Sequence, residues 1–221
     1  MISANAKNMA AIVLAAGLSQ RMGVENKLLL SFGGQSFLQR MICSLLDAGV
    51  AEIVVVLGHD QQRIQRQLDG LPNITNQKIA AVVNPDYLQG QMTSVNCGLK
   101  ALVGDKEGVL ICLGDQPLIT VSHIQALVTA FEKREPGKQV LVPVYNDQRG
   151  NPVVVSEWVR QQVLLGESRL GCRRFIDNNP ELVTKWAIDD TAYITDIDTP
   201  EEYRTLSLLD DVEPVKSQPG S

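Results

Sequence analysis

Four segments of the sequence bring together residue types suited to holding a charged small molecule. The first is Gly17-Leu18-Ser19-Gln20-Arg21-Met22-Gly23, with Lys27 close behind it. Glycines there let backbone N–H groups approach a phosphate, and Arg21 and Lys27 supply positive charge. The segment fits neither GxxxxGK[ST] nor GxGxxG; as an ordinary strand-to-helix turn, its glycines would serve only the backbone and its cations would be solvated. The second is Asp115 in GVLICLGDQP, a carboxylate closing an apolar run. Facing a phosphate pocket it reads as a Mg²⁺ ligand, and otherwise as turn chemistry ahead of Pro117. The third runs from Tyr193 to Glu202 (YITDIDTPEE). Read as a short strand, it places Asp196 and Asp198 on one face, where either could join a metal site, yet Asp198 or Thr199 also makes a good N-cap before Pro200. The fourth, NPDYLQGQMTSV (84–95), carries amides and hydroxyls that either read a base edge or ribose or close turns and cap a helix.

Other reactive residue types carry less. His59 and His123 have no acid–base partner in a recognisable arrangement and are assigned to loop or cap positions. Cys172 has Arg173 and Arg174 beside it, neighbours that can lower a thiol pKa, although a bland helical cysteine is the simpler reading.

The elements that must position these residues follow from periodicity. Apolar runs recur at 10–16, 52–58, 78–83, 108–114, 140–144 and 152–156 and read as buried strands. Between them, 36–48 sets Phe37, Leu38, Met41, Ile42, Leu45 and Leu46 on one helical face behind a Ser36–Gln39 capping box. Segments 60–69, 92–103 and 122–133 read as further helices, the last with Ser122 and Gln125 at capping spacing. Steady alternation of strand and helix predicts a single Rossmann-like α/β domain of three layers, a mostly parallel sheet with helices on both faces. In such sheets ligands bind beyond the carboxyl ends of the strands, where the four segments fall. The expected domain is 10–209, with 1–9 and 210–221 as flexible termini.

Composition narrows the functional classes. The 221 residues are 44% hydrophobic and 20% charged, enough for a real core and incompatible with intrinsic disorder. A net charge of −5 gives no overall attraction for a nucleic-acid polymer or an anionic membrane, so neither is expected as a partner. The four cysteines lack CxxC and metal-ligand spacing, which argues against a zinc site or disulfide framework and fits a reducing cytoplasm. There is no apolar run of 18 residues and no secretory-signal layout.

Taken jointly, LAAGLSQRMG (14–23) with Lys27, NPDYLQGQMTSV (84–95), GDQP (114–117), RGNPVVVS (149–156), GCRRFI (171–176) and DIDTPEEY (196–203) resemble the MobA/MocA-like nucleotidyltransferases, in that family's order. The GDQP and NPxxxxG…TSV forms look nearer the cytidylyl-transferring MocA branch than the guanylyl-transferring one. One departure stands out: Val24, Glu25 and Asn26 separate the second glycine of the loop from Lys27, where the family has two residues. The resemblance implies a Mg²⁺-dependent transfer of a nucleoside monophosphate, CMP favoured, from CTP or another NTP to a phosphorylated pterin-type acceptor of molybdopterin type, with release of pyrophosphate. It implies that Leu14, Ala15, Ala16 and Gly17 hold nucleotide and phosphates, that Arg21 clamps the polyphosphate and that Lys27 stabilises charge at the α-phosphate. Asp115 would bind Mg²⁺ with Asp198 as a second carboxylate, while Asn84, Gly90 and Ser94 would contact base and ribose. Alternatives that share parts of this logic are a sugar- or alditol-phosphate nucleotidyltransferase and a non-catalytic cofactor-delivery partner of a molybdenum oxidoreductase. An NAD(P)-dependent dehydrogenase is disfavoured, since no GxGxxG follows the first strand and no ribose-binding acid stands some 20 residues later.

Overall fold

The computed structural model describes residues 6–22, 25–71, 77–166 and 171–210. Among these, an eight-stranded sheet is built from β1 (Met9–Ala15), β4 (Glu52–Leu57), β5 (Lys78–Val83), β6 (Gly108–Leu113), β7 (Val140–Tyr145), β8 (Gln148–Arg149), β9 (Val153–Ser156) and β10 (Val183–Ala187). A small hairpin, β2 (Ser31–Phe32) with β3 (Gln35–Ser36), stands apart. Across the sheet the order is β10-β7-β9-β6-β1-β4-β5, with β8 folded back on β7. The pairs β1–β4, β1–β6, β4–β5 and β7–β10 are parallel, whereas β9 runs antiparallel between β6 and β7. The architecture is therefore the expected mostly parallel, Rossmann-like sheet, with one reversed strand near its middle.

The central strands form because their residues, Glu52 at the start of β4 excepted, are apolar on both faces. All seven residues of β1 and all six of β4 are buried. Alternate residues enter opposite layers. Ala11, Val13 and Ala15 face α1 (Phe37–Asp47) and α4 (Val121–Glu132). Ala10, Ile12 and Leu14 face α3 (Gln91–Ala101), α5 (Glu157–Leu165) and α6 (Gly171–Asn178). The remaining helices are α2 (Gln61–Asp69) and α7 (Pro200–Asp210). In α1 the expected capping box is present: Ser36 Oγ accepts from the Gln39 N–H and the Gln39 side chain accepts from the Ser36 N–H.

Register levels the functional edge. Leu14 of β1 lies opposite Val56 of β4 and Leu113 of β6, so the chain leaves all three strands at the same height. The tight approach of α3 to this sheet rests on Gly98, where a Cβ would meet Val56 Cγ2 at 2.8 Å and Ile12 Cγ2 at 3.0 Å. Gly98→Val should lower stability by about 2 kcal/mol in chemical denaturation, because overpacking (about 1–3 kcal/mol) outweighs the roughly 0.4 kcal/mol gained by replacing a helical glycine with valine. A variant as stable as the parent would show that α3 can lift off the sheet at no cost.

Several local expectations are revised. Ala6–Asn8 form a 3₁₀ turn and β1 starts at Met9, one residue ahead of the apolar run. The α4 cap is not Ser122 with Gln125: Thr120 is the N-cap, and its N–H donates to His123 Nδ1 at 3.0 Å. His123 is thereby a capping residue, held on its other side by Asp190 at 2.8 Å. The segment around Tyr193 is not a strand: Asp190 caps a 3₁₀ turn at Thr191–Tyr193, which takes the chain off the sheet edge at β10 and back toward its centre. Among the described residues, no helix is long and apolar enough to cross a membrane.

Candidate active site

A cavity of about 630 Å³ opens at the carboxyl edge of β1 and β6. Its wall comprises the loop after β1 (Ala16, Gly17, Leu18, Ser19, Gln20, Arg21), Leu14, Lys27, Leu28, Tyr87, Gln91, Ser94, Leu113, Asp115, Asp196 and Asp198. Four of the sequence-derived segments thus meet here.

Lys27 is held from below. It opens a 3₁₀ turn, Lys27–Leu29, whose N-cap Asn26 is buried and accepts from the Leu28 N–H at 3.1 Å and the Ser19 hydroxyl at 3.3 Å. Leu28 and Leu30 are buried on the core side. The additional residue before Lys27 therefore does not turn it into solvent: its side chain is 14% exposed and Nζ forms ion pairs with Asp115 Oδ2 and, at 2.5 Å, with Asp198 Oδ1. Gly23 and Val24, which precede this turn, lie outside the described residues.

Asp115 stands one residue past Gly114, where a Cβ would come within 3.1 Å of the Leu14 carbonyl and of Leu28. Glycine thus lets the β6 exit sit close against the β1 exit. The other oxygen of Asp115, Oδ1, is buried with no hydrogen-bond partner among the described residues. Asp196 and Asp198 come from the segment returning from β10, pinned to the β6 exit by the Ile197 N–H donating to the Asp115 carbonyl at 3.1 Å. Of the two readings of Asp198, the capping role falls to its neighbour: the Glu202 N–H donates to Thr199 Oγ1, while the Glu202 carboxylate accepts from the Asp198 and Thr199 N–H groups. Asp198 is left to face Lys27 and Arg21, both of which pair with it.

The electrostatics follow from this packing. Burial works against the Lys27 ammonium, but Asp115 and Asp198 more than offset it and raise its pKa. Burial likewise disfavours the Asp198 carboxylate, and Lys27 and Arg21 overcome that and hold it below the usual range. Asp196 forms no ion pair among the described residues: burial, then the charges of Asp115 and Asp198, push its carboxyl up against the opposing charge of Lys27. One oxygen from each of the three acids falls within 4.8 Å of the others. An all-oxygen donor set of three carboxylates fits a hard divalent cation.

The fourth segment is divided in its role. Ser94 lines the cavity, whereas Asn84 is buried and acts as a strut. Its amide donates to Thr93 Oγ1 at 2.8 Å and Ser94 Oγ at 2.9 Å, while its oxygen accepts from the Asp86 N–H at 3.0 Å. Gly90, at φ +114°, permits the turn into α3 and is not on the cavity wall; Ala15 is fully buried within β1. Gln91 was not singled out from sequence, nor was Tyr87. The signal for Gln91 was available, since it stands three residues before Ser94 on the same helical face.

A second cavity of about 220 Å³ adjoins the first and shares Leu14, Gln91 and Leu113 with it. RGNP and GCRR meet there, through Arg149, Gly150, Asn151, Cys172 and Arg173. The arginines do not activate Cys172, whose thiol is buried and pushed up to about 12 by desolvation.

A model of the MobA-like NTP transferase domain matches residues 11–183. Over 194 residues the chain is 27% identical to the molybdenum cofactor cytidylyltransferase of Escherichia coli, covering 88% of this chain and 93% of that protein. Over 204 residues it is 29% identical to the nicotine blue oxidoreductase of Paenarthrobacter nicotinovorans, covering 88% and 95%. It is also 32% identical over 143 residues to the bifunctional protein GlmU of Mycolicibacterium smegmatis, of which it spans only 30%. Among solved structures, an Rv0371c homologue from Mycobacterium sp. strain JC1 superposes with a TM-score of 0.72 at 25% identity, covering 94% of this chain and 99% of that one. Rv0371c of Mycobacterium tuberculosis in complex with manganese gives 0.66 at 20% identity, covering 90% and 97%. The 4-diphosphocytidyl-2C-methyl-D-erythritol synthase of Anaerococcus prevotii gives 0.67 at 15% identity, covering 92% and 98%. With the family model running from β1 to the start of β10, this chain belongs to the MobA-like NTP transferase family and is a nucleotidyltransferase.

Proposed function

We propose that the chain transfers CMP from CTP to a phosphorylated pterin-type acceptor of molybdopterin type in the cytoplasm, releasing pyrophosphate, with Mg²⁺ as cofactor. The observation that carries this reading is the cluster of Lys27, Arg21, Asp115 and Asp198 at the mouth of the loop after β1. Cytidylyl transfer to the molybdenum cofactor is supported by the named activity of the Escherichia coli relative, and a divalent cation by the acidic triad together with the manganese complex of Rv0371c.

In this mechanism the backbone from Leu14 to Gly17 and the Ser94 hydroxyl orient the nucleotide, and Arg21 binds the outer phosphates. Asp115 and Asp198, with Asp196 beside them, would hold the cation, which when bound draws negative charge off the triphosphate. An oxygen of the acceptor phosphate attacks the α-phosphorus; the bond to the bridging oxygen breaks and its electron pair leaves with pyrophosphate. Lys27 faces the charge that develops on the α-phosphate. Positioning and charge compensation suffice, and no covalent protein intermediate forms.

The test incubates the protein with each of the four NTPs, Mg²⁺ and molybdopterin and measures pyrophosphate release. CTP should exceed GTP by at least about tenfold in kcat/KM, a margin needing only about 1.4 kcal/mol of base discrimination. A preference for GTP moves the protein to the guanylyl branch. Release only with sugar or alditol phosphates changes the acceptor. CTP binding without release from any acceptor favours the role of a delivery partner for a molybdenum oxidoreductase, and NADH turnover without CTP binding overturns the reading.

A further inference from the structure

The Lys27 ammonium occupies the ground that a cation bridging the carboxylates would need. Nζ touches Asp115 Oδ2 and lies 2.5 Å from Asp198 Oδ1. A Mg²⁺ ion bridging the same two side chains would stand about 2.1 Å from each oxygen, inside the volume of the nitrogen. Two cations cannot share that point. The backbone beneath Lys27 is fixed by Asn26 and by buried Leu28 and Leu30, so yielding the position means swinging the four-carbon stem and leaving the loop in place.

We propose that Lys27 is an internal counter-ion that keeps the carboxylate site closed to free divalent cations and gives it up only when a triphosphate offers the ammonium another anion. The cation then enters with the nucleotide and does not preload. The charge count supports this order. Three acids (Asp115, Asp196, Asp198) against two cations (Lys27, Arg21) leave a single net negative charge, a weak lure for a free dication. A triphosphate adds several negative charges and draws both cations toward itself. The proposal rests on the nucleotidyl-transfer reading only for the identity of that triphosphate.

Mn²⁺ binding to the nucleotide-free, full-length chain, read from the electron paramagnetic resonance of free Mn²⁺, tests it. Lys27→Met and Lys27→Gln should each bind Mn²⁺ at least tenfold more tightly than the parent, and Asp115→Asn added to Lys27→Met should abolish the gain. Equal or weaker binding in the lysine variants, or no Mn²⁺ binding to any of the proteins, overturns the proposal. The parent alone supplies a second measurement: a non-hydrolysable CTP analogue should tighten its Mn²⁺ binding at least tenfold, and parent protein that binds Mn²⁺ equally well with and without the analogue also overturns the proposal. The lysine effect without CMP transfer to any acceptor would sink the reaction and spare the counter-ion. Transfer without the lysine effect would do the reverse.

Discussion

Asp115→Asn should lower the rate of CMP transfer more than a hundredfold while leaving the fold intact. Asparagine keeps the shape of the side chain, and Lys27 keeps its second partner, Asp198, so the turn beneath the cavity stays in place. What disappears is the full negative charge that Asp115 brings to the cluster of three carboxylates. Cation stabilisation of a charged transition state is worth several kcal/mol, and about 2.7 kcal/mol already corresponds to a hundredfold. Steady-state pyrophosphate release, alongside circular dichroism, measures the effect. Asp198→Asn should fall less, because its charge is shared with Arg21 at the rim. Near-parental turnover in Asp115→Asn removes that residue from the cation's ligands.

The second large effect separates the two basic residues of the loop. Lys27→Ala should reduce kcat about a hundredfold with a smaller rise in KM for CTP, because an ammonium drawn onto the reacting phosphate acts chiefly as charge develops. Arg21→Ala should raise KM at least as much as it lowers kcat. The Arg21 side chain is 70% exposed and anchored only by Asp198 among the described residues, the position of a clamp that meets the polyphosphate in the ground state. If Lys27→Ala changes neither parameter, the delivery-partner reading gains.

The central sheet was legible from sequence because its strands are buried on both faces: AAIVLAA carries no polar residue to blur it, and EIVVVLG only Glu52 at its start. The edge was not. In β10, VTKWA, the lysine and threonine of a half-exposed strand broke the apolar run that marks the others. Around Asp196, the alternation Asp196-Ile197-Asp198 imitates strand periodicity, although the chain there is held by one backbone bond to the Asp115 carbonyl and by the Thr199–Glu202 cap. Residue types suggested that Arg21, Lys27, Asp115 and an acid near 198 mattered, but spacing along the chain holds no record of which carboxylates meet. Nor does sequence show that Asn84, a residue with the chemistry to read a base, also fixes the loop that presents Ser94.

The return of the 196–198 segment to the β6 exit has a consequence for the life of the nascent chain. Arg21 and Asp198 are 177 residues apart in sequence yet form a direct ion pair. On the ribosome, at about 5–20 residues per second, Asp198 follows Asp115 by on the order of ten seconds. Through that interval the loop after β1 and its two cations exist with Asp115 but without Asp196 and Asp198. A message broken after codon 190 would encode strands β1 through β10 and none of the returning acids, a product with the sheet of a transferase and no means of completing its cation site.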